Sequence, residues 1–170
     1  VKQAESGAIA ELRLKSGGKL AADLYVDCSG FRSMLIGQAF KEPYISYQPT
    51  LFCERAVVGG WDRLDEPIKP YTTVETMDAG WCWQIEHERY INRGYVYSSR
   101  FMSEGDAEAE MRRKNPKLKE LHIVKFRSGY YSECWVGNVV GVGNACGFVE
   151  PLESSALMII CENARFLANA

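Results

Sequence analysis

Four stretches rich in β-branched and aromatic residues crowd into the middle of this chain: Thr50–Val58, Tyr71–Met77, Gly80–Glu86 and Tyr95–Phe101. Turn-forming groups, Asp78-Ala79-Gly80 and Asn92-Arg93-Gly94, separate the last three. Strands this close together cannot be joined by parallel crossovers, which need a dozen or more residues, so the pattern predicts an antiparallel meander. Ser103, with Asp106 three residues on, predicts a capped helix that runs to Lys114 and stops at Asn115-Pro116. Two further strands are expected near Ile123–Phe126 and Tyr130–Val136.

The two ends differ from the middle. Ile9–Leu14 alternates with period two, and Ser16-Gly17-Gly18 turns the chain. Leu24–Cys28 is a more continuously apolar strand ending at Ser29-Gly30, and Phe31–Phe40 has room for a short helix. Near the other end, Asn138–Gly143 forms an apolar strand that enters Gly143-Asn144-Ala145-Cys146-Gly147. A helix follows, with Leu157, Ile160, Cys161, Ala164, Leu167 and Ala168 on one face. The expected class is α/β (α+β): residues 1–40 and 136–170 share one α/β domain, and 41–135 form an antiparallel-sheet domain.

Composition narrows the function. With 46% apolar residues and 25% charged, 170 residues make a globular fold of ordinary size. A net charge of −2 offers no basic field for nucleic acid. No apolar run reaches the length of a membrane span. Six cysteines lie mostly one per apolar segment without a CxxC pair, and there are two histidines, so no metal site is expected. The cysteines are expected to be reduced core side chains in a cytoplasmic setting. The chain opens Val1-Lys2-Gln3 and stops within a helical pattern, which predicts a fragment of a longer protein.

Three segments carry candidate chemistry. Gly143–Ser155 is a strand, a glycine loop and a helix start, where free amides and the helix dipole favour an anion. Glu153 and Ser154 lie at that start. They read either as functional groups or as ordinary helix capping, with Ser154 or Ser155 as N-cap. Gly80–Ile85 places Trp81, Trp83 and Ile85 on one strand face and Cys82, Gln84 and Glu86 on the other. The two indoles suit either a flat ligand wall or a sheet core. The strand ending at Ser29-Gly30 is where α/β folds place ligands.

Together these segments resemble the flavin-dependent tryptophan halogenases. Ala22–Ser33 is similar to the strand-turn of that family's flavin domain. Trp81-Cys82-Trp83-Gln84-Ile85 follows most of its W-x-W-x-I-P signature, with Glu86 in place of proline. Gly143–Ser154 resembles its G-N-A-x-G-F-V-E-P-L-E-S segment, and Ser155-Ala156 stand where Thr-Gly would follow.

The resemblance implies part of a Rossmann-like FAD-binding fold with an antiparallel sheet as its substrate-side layer. It also implies a halogenase that uses reduced FAD, oxygen and chloride or bromide on an electron-rich aromatic such as tryptophan or another indole. A separate flavin reductase would supply the reduced FAD. Glu153 would orient the oxidant or accept the ring proton, with Ser154 beside it. Ser29, Gly30, Gly143, Asn144, Ala145, Gly147 and Leu157 would line the flavin site. Ser155 and Ala156 would meet the halide, and Trp81 and Trp83 would keep substrate from flavin. The family's G-x-G-x-x-G unit and halogen-carrying lysine have no counterpart here and are expected upstream of Val1. The Glu86 and Ala156 departures motivate one alternative, a flavin monooxygenase or reductase that has lost halide use, and the missing nucleotide-binding βαβ unit motivates another, a non-catalytic fragment.

Overall fold

The computed structural model describes residues 1–169, with Glu153 described by its backbone alone. In chain order the strands before the first α-helix are β1 (Lys2–Gln3), β2 (Ile9–Arg13), β3 (Lys19–Leu20), β4 (Tyr25–Asp27), β5 (Tyr44–Ser46), β6 (Arg55–Asp62), β7 (Thr73–Met77), β8 (Gly80–Glu86) and β9 (Tyr90–Tyr97). Helix α1 (Glu104–Lys114) follows, then β10 (Leu121–Lys125), β11 (Gly129–Tyr131), β12 (Trp135–Val136), β13 (Val139–Gly141), β14 (Gly147–Phe148) and helix α2 (Ala156–Ala168). Two compact units result, one of residues 1–49 and 128–170 and the other of 50–127. The sequence places these divisions at 40/41 and 135/136. The ladder between β5 and β11 joins 44–46 and 129–131 within the first unit.

In the second unit the strands order as β10-β6-β9-β8-β7, all antiparallel. One face is closed by α1: Val57, Met77, Cys82, Tyr95 and Tyr97 pack with Ala107, Met111 and Leu118. Removing such side chains from water is worth about 1.5–3 kcal/mol each. Ser103 caps α1 as expected, its hydroxyl accepting from the Asp106 amide at 3.2 Å. Burial pushes the Cys82 thiol above its ordinary pKa, so it stays a neutral core group.

The expected turn at Asn92-Arg93-Gly94 is not one. These residues run through the middle of β9, paired with both β6 and β8. The chain reverses instead around His87–Arg89, where the His87 amide donates to the Tyr90 carbonyl. Gly94 is there for a packing reason: a Cβ would lie 2.2 Å from Cζ2 of Trp83, whose indole covers the gap.

The first unit holds three small sheets, β1-β2-β3, β14-β11-β5 and β12-β13-β4. In the last, β4 and β13 pair in parallel, Tyr25 with Val139 and Asp27 with Gly141. Ile9, Tyr25, Leu35, Ile36, Tyr131 and Val139 form the core. The expected helix at Phe31–Phe40 is a 3₁₀ turn (Gly30–Arg32) followed by a π-helical turn (Met34–Ala39). The expected strand at Tyr130–Val136 is split into β11 and β12. Helix α2 forms where its periodicity places it, but none of its described residues is buried, so its apolar face is not the packed face expected.

The cysteines require a further correction. Cys134 and Cys146 form a disulfide with Cα atoms 5.3 Å apart, while Cys28, Cys53, Cys82 and Cys161 remain thiols. The two stand twelve positions apart, and the β12–β13 hairpin folds them together. Alkylation of the unreduced, denatured protein followed by peptide mass spectrometry should label those four cysteines and leave Cys134 and Cys146 linked. Full labelling at Cys134 and Cys146 would contradict the pairing.

Candidate functional site

Strand β13 delivers the chain into a 3₁₀ turn, Gly143–Ala145, and β14 carries it towards α2. Gly143 has φ +60°, and a Cβ there would lie 2.8 Å from Cγ1 of Ile160 on α2. Glycine therefore lets the turn and the helix meet closely. At Gly147 a Cβ would fall 2.8 Å from Cβ of Tyr130 and 2.9 Å from the Gly129 carbonyl, so the second glycine is required by the β11 ladder.

Next comes a 3₁₀ turn at Pro151–Glu153. The Glu150 carboxylate accepts from the Leu152 amide at 3.0 Å, and Ser154 follows in the left-handed region at φ 51°. Ser155 occupies the N-cap position of α2 without a side-chain cap, and no acidic residue stands in the first turn. Among the described residues, no side chain caps the start of this 13-residue helix, where the dipole and first amides favour an anion or an electron-rich edge.

These elements enclose a cleft of about 260 Å³. Of the candidates, Gly143, Asn144, Gly147, Ser154, Ser155, Ala156 and Leu157 line it, together with Phe148 and Pro151. Ala145, the last residue of the turn, is fully buried and does not line the cleft. Ser29 lines a separate cleft with Asp27, Cys28 and Met34, and Gly30, at φ +64°, faces open space. The side chain of Glu153, the candidate acid–base group, lies outside the described residues. The cleft is smaller than the roughly 300–1,000 Å³ that usually encloses a whole small ligand, so it fits one end of a larger molecule. Its apolar walls and helix amides suit a flat ring with a polar edge.

Asp27 is the group that sequence reasoning passed over. It is 3% exposed, yet its carboxylate takes four hydrogen bonds: from the Ser29 amide (3.0 Å) and hydroxyl (2.5 Å) and from the Leu35 (2.7 Å) and Ile36 (3.2 Å) amides. Ser29 also accepts from the Met34 amide at 2.8 Å. Its hydroxyl is therefore committed to shaping the turn. An acidic residue at a strand end just before Ser-Gly was the available signal.

In the second unit Trp81 and Trp83 are both half-buried, on the sheet face opposite Cys82 and α1. Trp83 lies across from Val74 on one neighbouring strand and Gly94 on the other, and Trp81 across from Thr76 and Val96. Glu86 has a local role. Its carboxylate pairs with Arg63, both nearly fully buried, and accepts from Gln84 Nε2 at 2.6 Å. Arg63 donates further to the carbonyls of Glu66, Pro67 and His87. The pair thus pins the loop after β6 to the end of β8, and the hydrogen bond from Arg63 holds the Glu86 carboxyl below its usual range.

A parallel strand pair feeding a glycine turn and then a helix start is the ligand-binding arrangement of nucleotide-cofactor α/β proteins. The profile of the tryptophan halogenase family matches residues 1–170. The chain belongs to that family. Tryptophan 6-halogenase ThaL of Streptomyces albogriseolus is 41% identical over 169 residues, covering 96% of this chain and 32% of that protein. Tryptophan 7-halogenase RebH of Lentzea aerocolonigenes is 37% identical over 165 residues, covering 94% and 31%. Among solved structures, MibH, a lathipeptide tryptophan 5-halogenase, superposes with a TM-score of 0.94 at 43% identity, covering 99% of this chain and 32% of that one. BrvH, a flavin-dependent halogenase from Brevundimonas sp. BAL3, gives 0.90 at 33% identity, covering 97% and 34%. The chain spans about a third of the length of the relatives it matches.

Replacing Arg63 with Met removes the main partner of the Glu86 carboxylate and should cost about 1–3 kcal/mol at pH 7. The double variant Arg63→Met with Glu86→Leu should recover most of that loss. A lowered carboxyl pKa stabilises the fold above the unfolded-state value and ceases to do so as pH falls through the folded value. Urea unfolding should therefore show wild-type stability declining in acid more steeply than that of Glu86→Gln. Parallel pH profiles would contradict this.

Proposed function

We propose that this chain contributes part of the active site of an FAD-dependent halogenase acting on an electron-rich aromatic such as tryptophan or another indole. The observation that carries the reading is the cleft at the start of α2, which gathers seven of the candidate residues in a chain that belongs to the tryptophan halogenase family. When bound, FAD would supply oxidation of chloride or bromide by oxygen, using reducing equivalents delivered by a separate flavin reductase.

This chain's residues have narrower tasks. Gly143, Asn144 and Gly147 bring backbone close to the flavin ring, and Leu157 covers it. Ala145 anchors the turn from its buried end, and Ser29 and Gly30 shape the neighbouring segment. Ser155 and Ala156 offer helix-start amides to the halide. Ring substitution ends with loss of a proton, and Glu153 is the carboxylate assigned to take it or to orient the oxidant, with Ser154 beside it. Trp81 and Trp83 keep the aromatic substrate apart from the flavin, the role their signature implies.

A cytoplasmic setting accompanies this reading, because reduced FAD must be regenerated continuously. No helix among the described residues is long and apolar enough to cross a membrane.

The intact protein, given FAD, a flavin reductase, nicotinamide cofactor, oxygen, bromide or chloride and a panel of indoles, should yield a mono-halogenated product by mass spectrometry. Glu153→Gln should lower turnover by about 10²-fold or more, in the range of a lost general base. Absence of halogenated product across the panel, with flavin turning over normally, would contradict the proposal.

A further inference from the structure

Two segments more than a hundred residues apart meet beneath the cleft, and one buried hydroxyl joins them. Ser33 is fully buried. It stands between the 3₁₀ turn after Gly30 and the π-helical turn that follows, at φ 41° and ψ 62°, a left-handed conformation that non-glycine residues avoid. The hydroxyl donates to the Ala145 carbonyl at 2.7 Å and accepts from the Gly37 amide at 2.9 Å. Ala145 belongs to the turn whose neighbours, Gly143, Asn144 and Gly147, line the cleft.

The surroundings force this geometry. The Asp27 carboxylate holds the Leu35 and Ile36 amides, fixing where the π-helical turn begins. The Ser33 carbonyl accepts from the Gly37 and Gln38 amides at 3.0 and 2.9 Å. A Cβ on Gly37 would come 2.1 Å from the Tyr131 hydroxyl, so the turn cannot slide. Glycine would sit at position 33 without strain. Serine there accepts an unfavourable backbone and supplies a hydroxyl that spans to Ala145. Strain concentrated on a residue whose side chain reaches a binding turn points to a role in shaping that turn.

We propose that Ser33 is a positioning residue for the flavin cleft: its hydroxyl locks the Ala145 carbonyl and so sets the backbone of Gly143–Gly147 in the form that receives the ring. This rests on the flavin reading of the cleft given above. Ser33→Ala removes only the hydroxyl and keeps the left-handed strain, whereas Ser33→Gly removes the whole hydroxymethyl group and relieves that strain, so the two variants together separate the roles of the residue.

The test compares Ser33→Gly and Ser33→Ala with wild type in the intact protein. It uses thermal unfolding, hydrogen exchange of segment 143–148, and FAD titration by flavin fluorescence. Ser33→Gly should melt at or above the temperature of Ser33→Ala. It should nevertheless exchange faster at 143–148 and bind FAD about tenfold more weakly, the scale of one lost buried hydrogen bond. The absorption band of its bound flavin should shift from that of wild type. If Ser33→Ala does not fold, Ser33→Gly alone carries the test. Wild-type exchange and wild-type FAD affinity in Ser33→Gly would overturn the proposal. Faster exchange at 143–148 in a protein whose wild type binds no FAD would keep Ser33 as the lock on this turn and overturn the flavin reading instead.

Discussion

The parallel ladder between Tyr25–Asp27 and Val139–Gly141 is the contact on which the first unit depends. It joins strands more than a hundred residues apart and ends both at the same level. Each strand therefore releases its following segment at one edge: Ser29–Ala39 from one, Gly143–Gly147 from the other. The Asp27 carboxylate organises the first segment, and the Ser33 hydroxyl and the Cys134–Cys146 bond hold the second. Polar groups buried this deeply are costly unless satisfied, and those of Asp27 and Ser33 are spent on backbone partners and the Ser29 hydroxyl, which makes the connection specific. The cleft is thus ordered by contacts within the unit before any ligand arrives.

The second unit rests on a different constraint. A five-stranded antiparallel sheet can bury one face under a helix and leave the other available. Cys82, Tyr95, Tyr97 and Met111 use the first face. Trp81 and Trp83 occupy the second, with the indole of Trp83 laid over Gly94. Buried charge appears where the sheet ends, in Arg63 and Glu86, and its network is satisfied by Gln84 and three carbonyls. Glu86 therefore has a local electrostatic role.

Much of this was legible from residue pattern. The period-two strands, the Ser103 cap of α1 and the strand-glycine-helix order around Gly143 all express local rules that the fold obeys. What failed did so where a distant partner decides. Asn92-Arg93-Gly94 has turn chemistry, but Trp83 on the next strand supplies the cover that lets Gly94 sit in β9. The Cys134–Cys146 bond depends on a hairpin that brings twelve-residue neighbours together. The role of Asp27 depends on amides eight and nine residues ahead of it, in a π-helical turn that no periodicity announces. The α2 pattern showed an apolar face without showing what, if anything, covers it. Within the site, the glycines and the helix start were readable as types, whereas the hydroxyl of Ser33 needed the fold to find its carbonyl.

The central claim is that the start of α2 and the Gly143–Gly147 turn together receive a flavin ring. A crystal structure of the intact protein with FAD tests it most directly. The account predicts the isoalloxazine lying against Gly143, Gly147 and Leu157, with its polar edge facing the amides of Ala156 and Leu157. A flavin ordered elsewhere, with this cleft filled only by solvent or protein side chains, would contradict it.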